Sequence, residues 1–254
     1  MASEQEIEAR FLKELRHHLL GWKAKVISDF SDEVYNAELA QLSADPVYSA
    51  FALNNPMYVL IRLMGRMSIS IGRRLGEIYD KVPRFVVQAR YDLTKDEVAP
   101  KMGGKLELDI CIPYRKLNSS DKKKVIDLAS RFDLSNSSTK GLGIEIRYNF
   151  NPNDSSRLRK DEEMARLIIE EKLIPVYLIF SSISPRDEAI ERLKRAGWHF
   201  IVGEEALVFM RDLCDSEFDK LLKKATVQKE ILQEVTEMMS LIRKSTAFKF
   251  GISE

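Results

Sequence analysis

Apolar residues recur at two spacings along this chain. In some stretches they return every third or fourth position, as on one face of a helix. In others they alternate with polar residues or run almost unbroken, as in strands. Residues 4–20 follow the helical spacing, and so do residues 31–45. Asn54-Asn55-Pro56 then breaks the chain. Residues 57–80 give the clearest helical pattern. At about 100° per residue, Leu60, Met64, Met67, Ile71, Leu75 and Ile78 share one arc, with Arg62, Arg66, Arg73 and Glu77 on the opposite side. Pro83 is expected to end this helix.

Three strand candidates follow. Residues 84–91 are rich in β-branched and aromatic side chains, whereas 105–110 and 144–149 alternate. A helix is expected near 119–132, then a loop of Ser, Asn and Gly over 135–143. Residues 155–172 predict a charged helix that Asp154 or Ser155 can cap. Residues 174–180 are nearly all apolar, which is how a strand buried on both faces reads. A helix near 185–196, a strand at 198–202 and helices near 204–223 and 227–245 complete the order. The expected fold class is α/β, with a central mixed sheet flanked by helices and helical extensions at both ends. The first two strands are expected to form an antiparallel pair. The expected division is an N-terminal helical region (1–56), a core (57–225) and a C-terminal helical extension (226–254). Neither an internal repeat nor a low-complexity tract interrupts it.

Composition narrows the class only modestly. The 254 residues are 44% apolar, enough for a sizeable core. No run approaches the roughly 20 apolar residues of a membrane helix, so no membrane role is expected. The opening segment is acidic and polar rather than basic and then apolar, unlike a signal peptide. Cys111 and Cys214 are the only cysteines, which suggests neither a disulfide framework nor a zinc cluster. Both read as small buried hydrophobes, and a reducing cytoplasm is the expected setting. With 40 basic and 39 acidic residues, net charge does not announce nucleic-acid binding. Local basic clusters decide that question instead.

Alternation places chemistry on the strands. Lys105, Glu107 and Asp109 share one face of their strand, and Glu145, Arg147 and Asn149 share one face of theirs. If the two strands are neighbours in register, Asp109 and Glu145 approach each other. Two fixed carboxylates make a hard oxygen site suited to magnesium. Such an ion lowers the pKa of bound water and neutralises charge on a phosphate under attack. Arg147 or Lys105 beside it can stabilise the added negative charge. The plainer alternative is a half-exposed sheet whose wet face simply carries charges.

Glu77, on the long helix, is a third candidate acid. Arg62, Arg66 and Arg73 can meet DNA phosphates from its polar arc, or form a solvated face with ion pairs. Arg157, Arg159 and Lys160 form a second basic group, just after the loop holding Asn151 and Asn153. Asparagine can read adenine edges, although a turn explains the same residues. There is no Gly-rich phosphate loop and no arguable Ser/His/Asp set.

The order of a helix with Glu77, strands carrying Asp109 and Glu145-Ile146-Arg147, then a helix and a strand resembles the PD-(D/E)XK nuclease superfamily. Residues 143–150, 175–180, 192–198 and 203–206 further resemble the ApaLI-like group of type II restriction endonucleases, over about a third of the chain. The resemblance implies an αβββαβ nuclease core. It implies magnesium-dependent hydrolysis of double-stranded DNA at a short palindromic site, leaving 5′-phosphates. Asp109 and Glu145 would be metal ligands and Glu77 an accessory acid. Two departures stand out. Arg147 occupies the position of the usual lysine, and Glu145 lies 36 positions after Asp109. Arginine stabilises charge but does not take up a proton from water, so Lys105 or Lys160 is a candidate substitute. A palindromic target implies a homodimer, with the helical ends 1–45 and 227–245 as its candidate surface. A repair or structure-selective nuclease and a non-catalytic DNA-binding protein remain alternatives.

Overall fold

A computed structural model describes residues 3–134, 138–148, 155–182 and 187–252. The chain is α/β and separates into two compact units. One combines Met1–Leu12 with Gly76–Lys220, and the other combines Lys13–Leu75 with Leu221–Glu254. These boundaries differ from the expected ones at 56 and 225. The helical ends and the first part of the long helix belong to one unit because their apolar faces bury one another.

That second unit is all helical. It contains most of α1 (Glu4–Asp29), then α2 (Asp32–Ala44), α3 (Pro46–Ala50), the start of α4 (Pro56–Arg90), α11 (Ala225–Lys244) and α12 (Thr246–Gly251). Ser31 caps α2, Asp45 caps α3, and the Asn55 side chain accepts from Tyr58 N at 2.9 Å to start α4. Leu15, Leu19, Trp22, Leu42, Leu63, Met238 and Ile242 are buried in it. At its surface Arg16 of α1 meets Glu230 of α11 at 2.7 Å. Such an exposed pair fixes orientation more than it adds stability.

The first unit holds the sheet. Its helices are the rest of α4, α5 (Lys95–Val98), α6 (Ser119–Arg131), α7 (Ser155–Glu170), α8 (Asp187–Arg195), α9 (Glu204–Cys214) and the first half of α10 (Phe218–Lys223). A short hairpin pairs β1 (Lys101–Met102) with β2 (Leu106–Glu107). Gly103 and Gly104 make its turn at φ +54° and +73°, where a Cβ is unfavourable. The main sheet runs β3 (Ile110–Pro113), β4 (Gly141–Arg147), β5 (Leu173–Ile179) and β6 (His199–Val202). β3 and β4 are antiparallel, and β4, β5 and β6 are parallel. β5 is buried throughout, as its apolar run predicts. Cys111 and Cys214 are buried and unpaired. Among the described residues no helix is long and apolar enough to cross a membrane.

Two expectations are corrected. Residues 84–91 are not a strand but the last turns of α4, which runs through Pro83. An interior proline costs a helix about 3 kcal/mol. Burial of Ile78, Val82, Val86 and Val87 outweighs that, at roughly 1.5–3 kcal/mol each. Their four-residue spacing is the helical signal that the β-branched content masked. The antiparallel pair is accordingly β3 with β4, not 84–91 with 105–110. The stretch 105–110 is itself divided: Lys105 lies in the hairpin turn, Leu106–Glu107 form β2, and β3 begins only at Ile110.

α7 packs against one face of the sheet through Met164, Ala165 and Ile168. Gly143 of β4 permits this approach, since a Cβ there would lie 2.8 Å from Ile168 Cγ2. Gly143→Ala is expected to lower stability by about 1–3 kcal/mol in urea unfolding, because packed cores resist added volume. Combined with Ile168→Ala, it should cost less than the sum of the two single losses; strict additivity would show that the contact does not limit packing.

Candidate active site

Extending the β3–β4 register by one residue from Ile110↔Ile144 sets Asp109 beside Glu145. Across the next pair, Glu145 is level with Tyr177. Alternation then puts Asp109, Glu145, Arg147 and Tyr177 on the face that α7 covers. They gather toward the C-terminal ends of the parallel strands, where α/β sheets commonly bind ligands.

Arg147 connects the group. Its Nη1 donates to Asp109 Oδ2 at 3.0 Å and to the Ile146 carbonyl at 2.6 Å, and its Nη2 donates to Glu145 Oε2 at 2.7 Å. Asp109 Oδ2 also accepts from Ile146 N at 2.8 Å. From α4, Arg84 donates to Glu107 at 2.6 Å and reaches Asp109 Oδ1 at 3.4 Å. Asp161 of α7 accepts from the Tyr177 hydroxyl at 3.0 Å. It stands 3.9 Å from Arg147 Nη2 and 3.7 Å from Arg157 Nε. The Trp198 indole fixes the same turn of α7 by donating to the Asp161 carbonyl at 2.8 Å. The Glu145 and Asp161 side chains are only 6% and 7% exposed, whereas Arg147 keeps 23%.

Burial and the negative charge of Asp109 push the Glu145 carboxyl well above its ordinary range, against the opposing pull of Arg147. Burial likewise raises Asp161, with Arg147 and Arg157 opposing. Burial disfavours the charged form of Arg147, but the surrounding acids hold it protonated. Three buried or half-buried acids thus share the charge of Arg147.

The expected residues divide clearly. Asp109, Glu145 and Arg147 converge. Lys105 is exposed in its turn, off the strand that was to align it with Asp109. Glu77 lies half-buried on α4, and among the described residues no group of three His, Cys, Asp or Glu side chains could hold a metal. It is Arg84, two turns further along that helix, that reaches Asp109. Arg62 and Arg66 both engage the buried Glu38, Arg62 at 3.0 Å, within the helical unit. Their charge is thus committed to an internal acid rather than to an open basic face. Arg73 is exposed on α4, and Arg157, Arg159 and Lys160 are exposed on α7. Asn151 and Asn153 lie outside the described residues.

Asp161, Tyr177 and Arg84 escaped the sequence reading. A signal existed for two of them. Asp161 falls on the stripe of α7 otherwise made by Met164, Ala165 and Ile168, and Tyr177 puts a hydroxyl in an apolar strand that needs a partner. Arg84 could not be placed while its segment read as a strand.

A cavity of about 530 Å³ opens near the beginnings of β4 and β5. Its basic residues, Lys101, Arg115, Lys116 and Lys140, are matched by Asp96, Glu97, Glu170 and Glu171. That balance selects no ligand charge, unlike the acid-rich cluster. Comparison with protein-family models, curated proteins and solved structures finds no match for the chain.

In the metal-free protein, folded Glu145 takes up its proton at higher pH than the unfolded chain. Over that interval the folded state binds more protons, so stability should fall as pH rises from the model-peptide value of 4.5 through the folded value, then level off. Urea unfolding at steps from about pH 5 to about pH 8 should show this slope in the native chain and a flatter one in Glu145→Gln. Equal slopes would remove Glu145 as its source.

Proposed function

We propose that this chain is a magnesium-dependent deoxyribonuclease of the type II restriction kind. It hydrolyses double-stranded DNA at a short palindromic site as a homodimer and leaves 5′-phosphates. The observation that carries this reading is the convergence of Asp109 Oδ2, Glu145 Oε2 and the Ile146 carbonyl on one cationic group. These are hard oxygen donors, two of them carboxyl oxygens that become anionic on losing a proton, in a rigid sheet. That donor chemistry fits magnesium, which favours carboxylates and retains several waters. The antiparallel β3–β4 pair, with α7 leading to the parallel β5, supports the reading in part, although the main sheet carries two strands before α7 where the αβββαβ core has three.

Asp109, Glu145 and the Ile146 carbonyl would hold the ion, and when bound it supplies Lewis acidity and an acidified water. The chain's own residues supply the rest. Arg84 and the Ile146 amide fix the orientation of Asp109. Arg147 brings a permanent positive charge to where a phosphoryl group gains negative charge. It takes no proton from water, so that proton leaves by another route. The exposed Arg157, Arg159 and Lys160 on α7 offer phosphate contacts that set DNA register without reading sequence.

One observation favours a second reading. Arg147 already neutralises part of the acid charge, as it would in a purely structural ion network of a non-catalytic DNA-binding protein. Digestion of plasmid DNA of known sequence with magnesium, followed by sequencing of the ends, separates the readings. Discrete fragments with 5′-phosphate ends are expected. Cutting only at nicks or junctions would indicate a repair or structure-selective nuclease. Glu145→Ala should reduce cleavage at least about 100-fold while circular dichroism shows a folded chain. Full cleavage by that variant would overturn the assignment.

A further inference from the structure

Resting on the metal-site reading above, we propose that Arg147 is a displaceable internal counter-ion that sets the affinity of the site for divalent cations, and that Asp161 receives its guanidinium when a cation enters. Nη1 and Nη2 already occupy the three oxygens that a cation would use. An arginine and a divalent ion cannot both sit at that focus, so they compete.

Arginine cannot yield by losing its proton, because its charge is permanent in proteins. It has to move to another anion or to water. Asp161 is the nearest further acid, with Oδ1 3.9 Å from Nη2, just beyond hydrogen-bonding distance. It is buried and held by the Tyr177 hydroxyl and by the anchored turn of α7. Arg147 Nε is buried without a hydrogen-bond partner, so the present seat leaves one donor unsatisfied. The Tyr177 ring lies 5.7 Å from the guanidinium carbon, and its face can steady the cation in either position. The site therefore carries its own competitor and a second berth for it. Lysine at the same position presents a single compact ammonium and cannot span both acids at once.

Calcium titration calorimetry on the full chain tests this without reference to cleavage. Arg147→Met is expected to bind calcium about tenfold more tightly than the native chain, and Asp161→Asn about tenfold more weakly. In the Arg147→Met background, Asp161→Asn should make no difference, since no guanidinium remains to be received. Circular dichroism establishes that each variant folds. Should Arg147→Met fail to fold, Arg147→Lys carries the test and is expected to bind calcium more tightly by a smaller factor. Unchanged or weaker binding in the folded Arg147 variant overturns the proposal alone, provided the native chain binds. Persistence of the Asp161→Asn effect without Arg147 also overturns it. No binding by the native chain or by any variant overturns both this proposal and the metal-site reading.

Discussion

The guanidinium of Arg147 joins two acids that the β3–β4 register sets side by side. Asp109 precedes β3, Glu145 lies within β4, and both are drawn to one planar cation. Like charges so close would repel strongly in a buried setting. The cation makes their proximity tolerable, and a proton on the Glu145 side offsets the remainder. Losing one partner of such a buried pair typically costs about 3–5 kcal/mol, so the network is held as a unit. The feature that stabilises the acids thus also occupies the space that a metal-using chemistry would need.

The sheet keeps this arrangement in place. One face is mainly apolar, with Ile110, Ile112, Leu142, Ile144, Val176 and Leu178 buried. The other face accepts α7 closely because Gly143 has no side chain to obstruct Ile168. That approach brings Asp161 down beside Tyr177 and into the charged cluster. Fold and site are therefore coupled through a single helix–sheet contact, and the position of Asp161 follows from packing rather than from strand alternation.

The legibility of the site followed how local each relationship was. Asp109, Glu145 and Arg147 could be read from alternation, because period-two geometry within a strand depends only on neighbouring residues. Their approach required the two strands to be neighbours in register, a condition that the β3–β4 pairing meets although β3 begins only at Ile110. Arg84 was misplaced because β-branched composition suggested a strand where a four-residue apolar repeat, running past Pro83, makes a helix. Arg62 and Arg66 looked like an open basic arc, since nothing near them in sequence discloses that Glu38 lies between them.

The sequence by itself determined the elements with strong periodicity: helices α6 and α7, the nearly all-apolar β5, and the shared face of Glu145 and Arg147 within β4. These follow from side-chain direction and hydrophobic spacing, which are local properties. Tertiary structure alone decided which strand pairs with which, which parts of α1 and α4 belong to each unit, and which cation answers each acid. Those outcomes depend on contacts between residues far apart in the chain. There the energy of burial and charge pairing overrides local preference, and no local pattern encodes the partner.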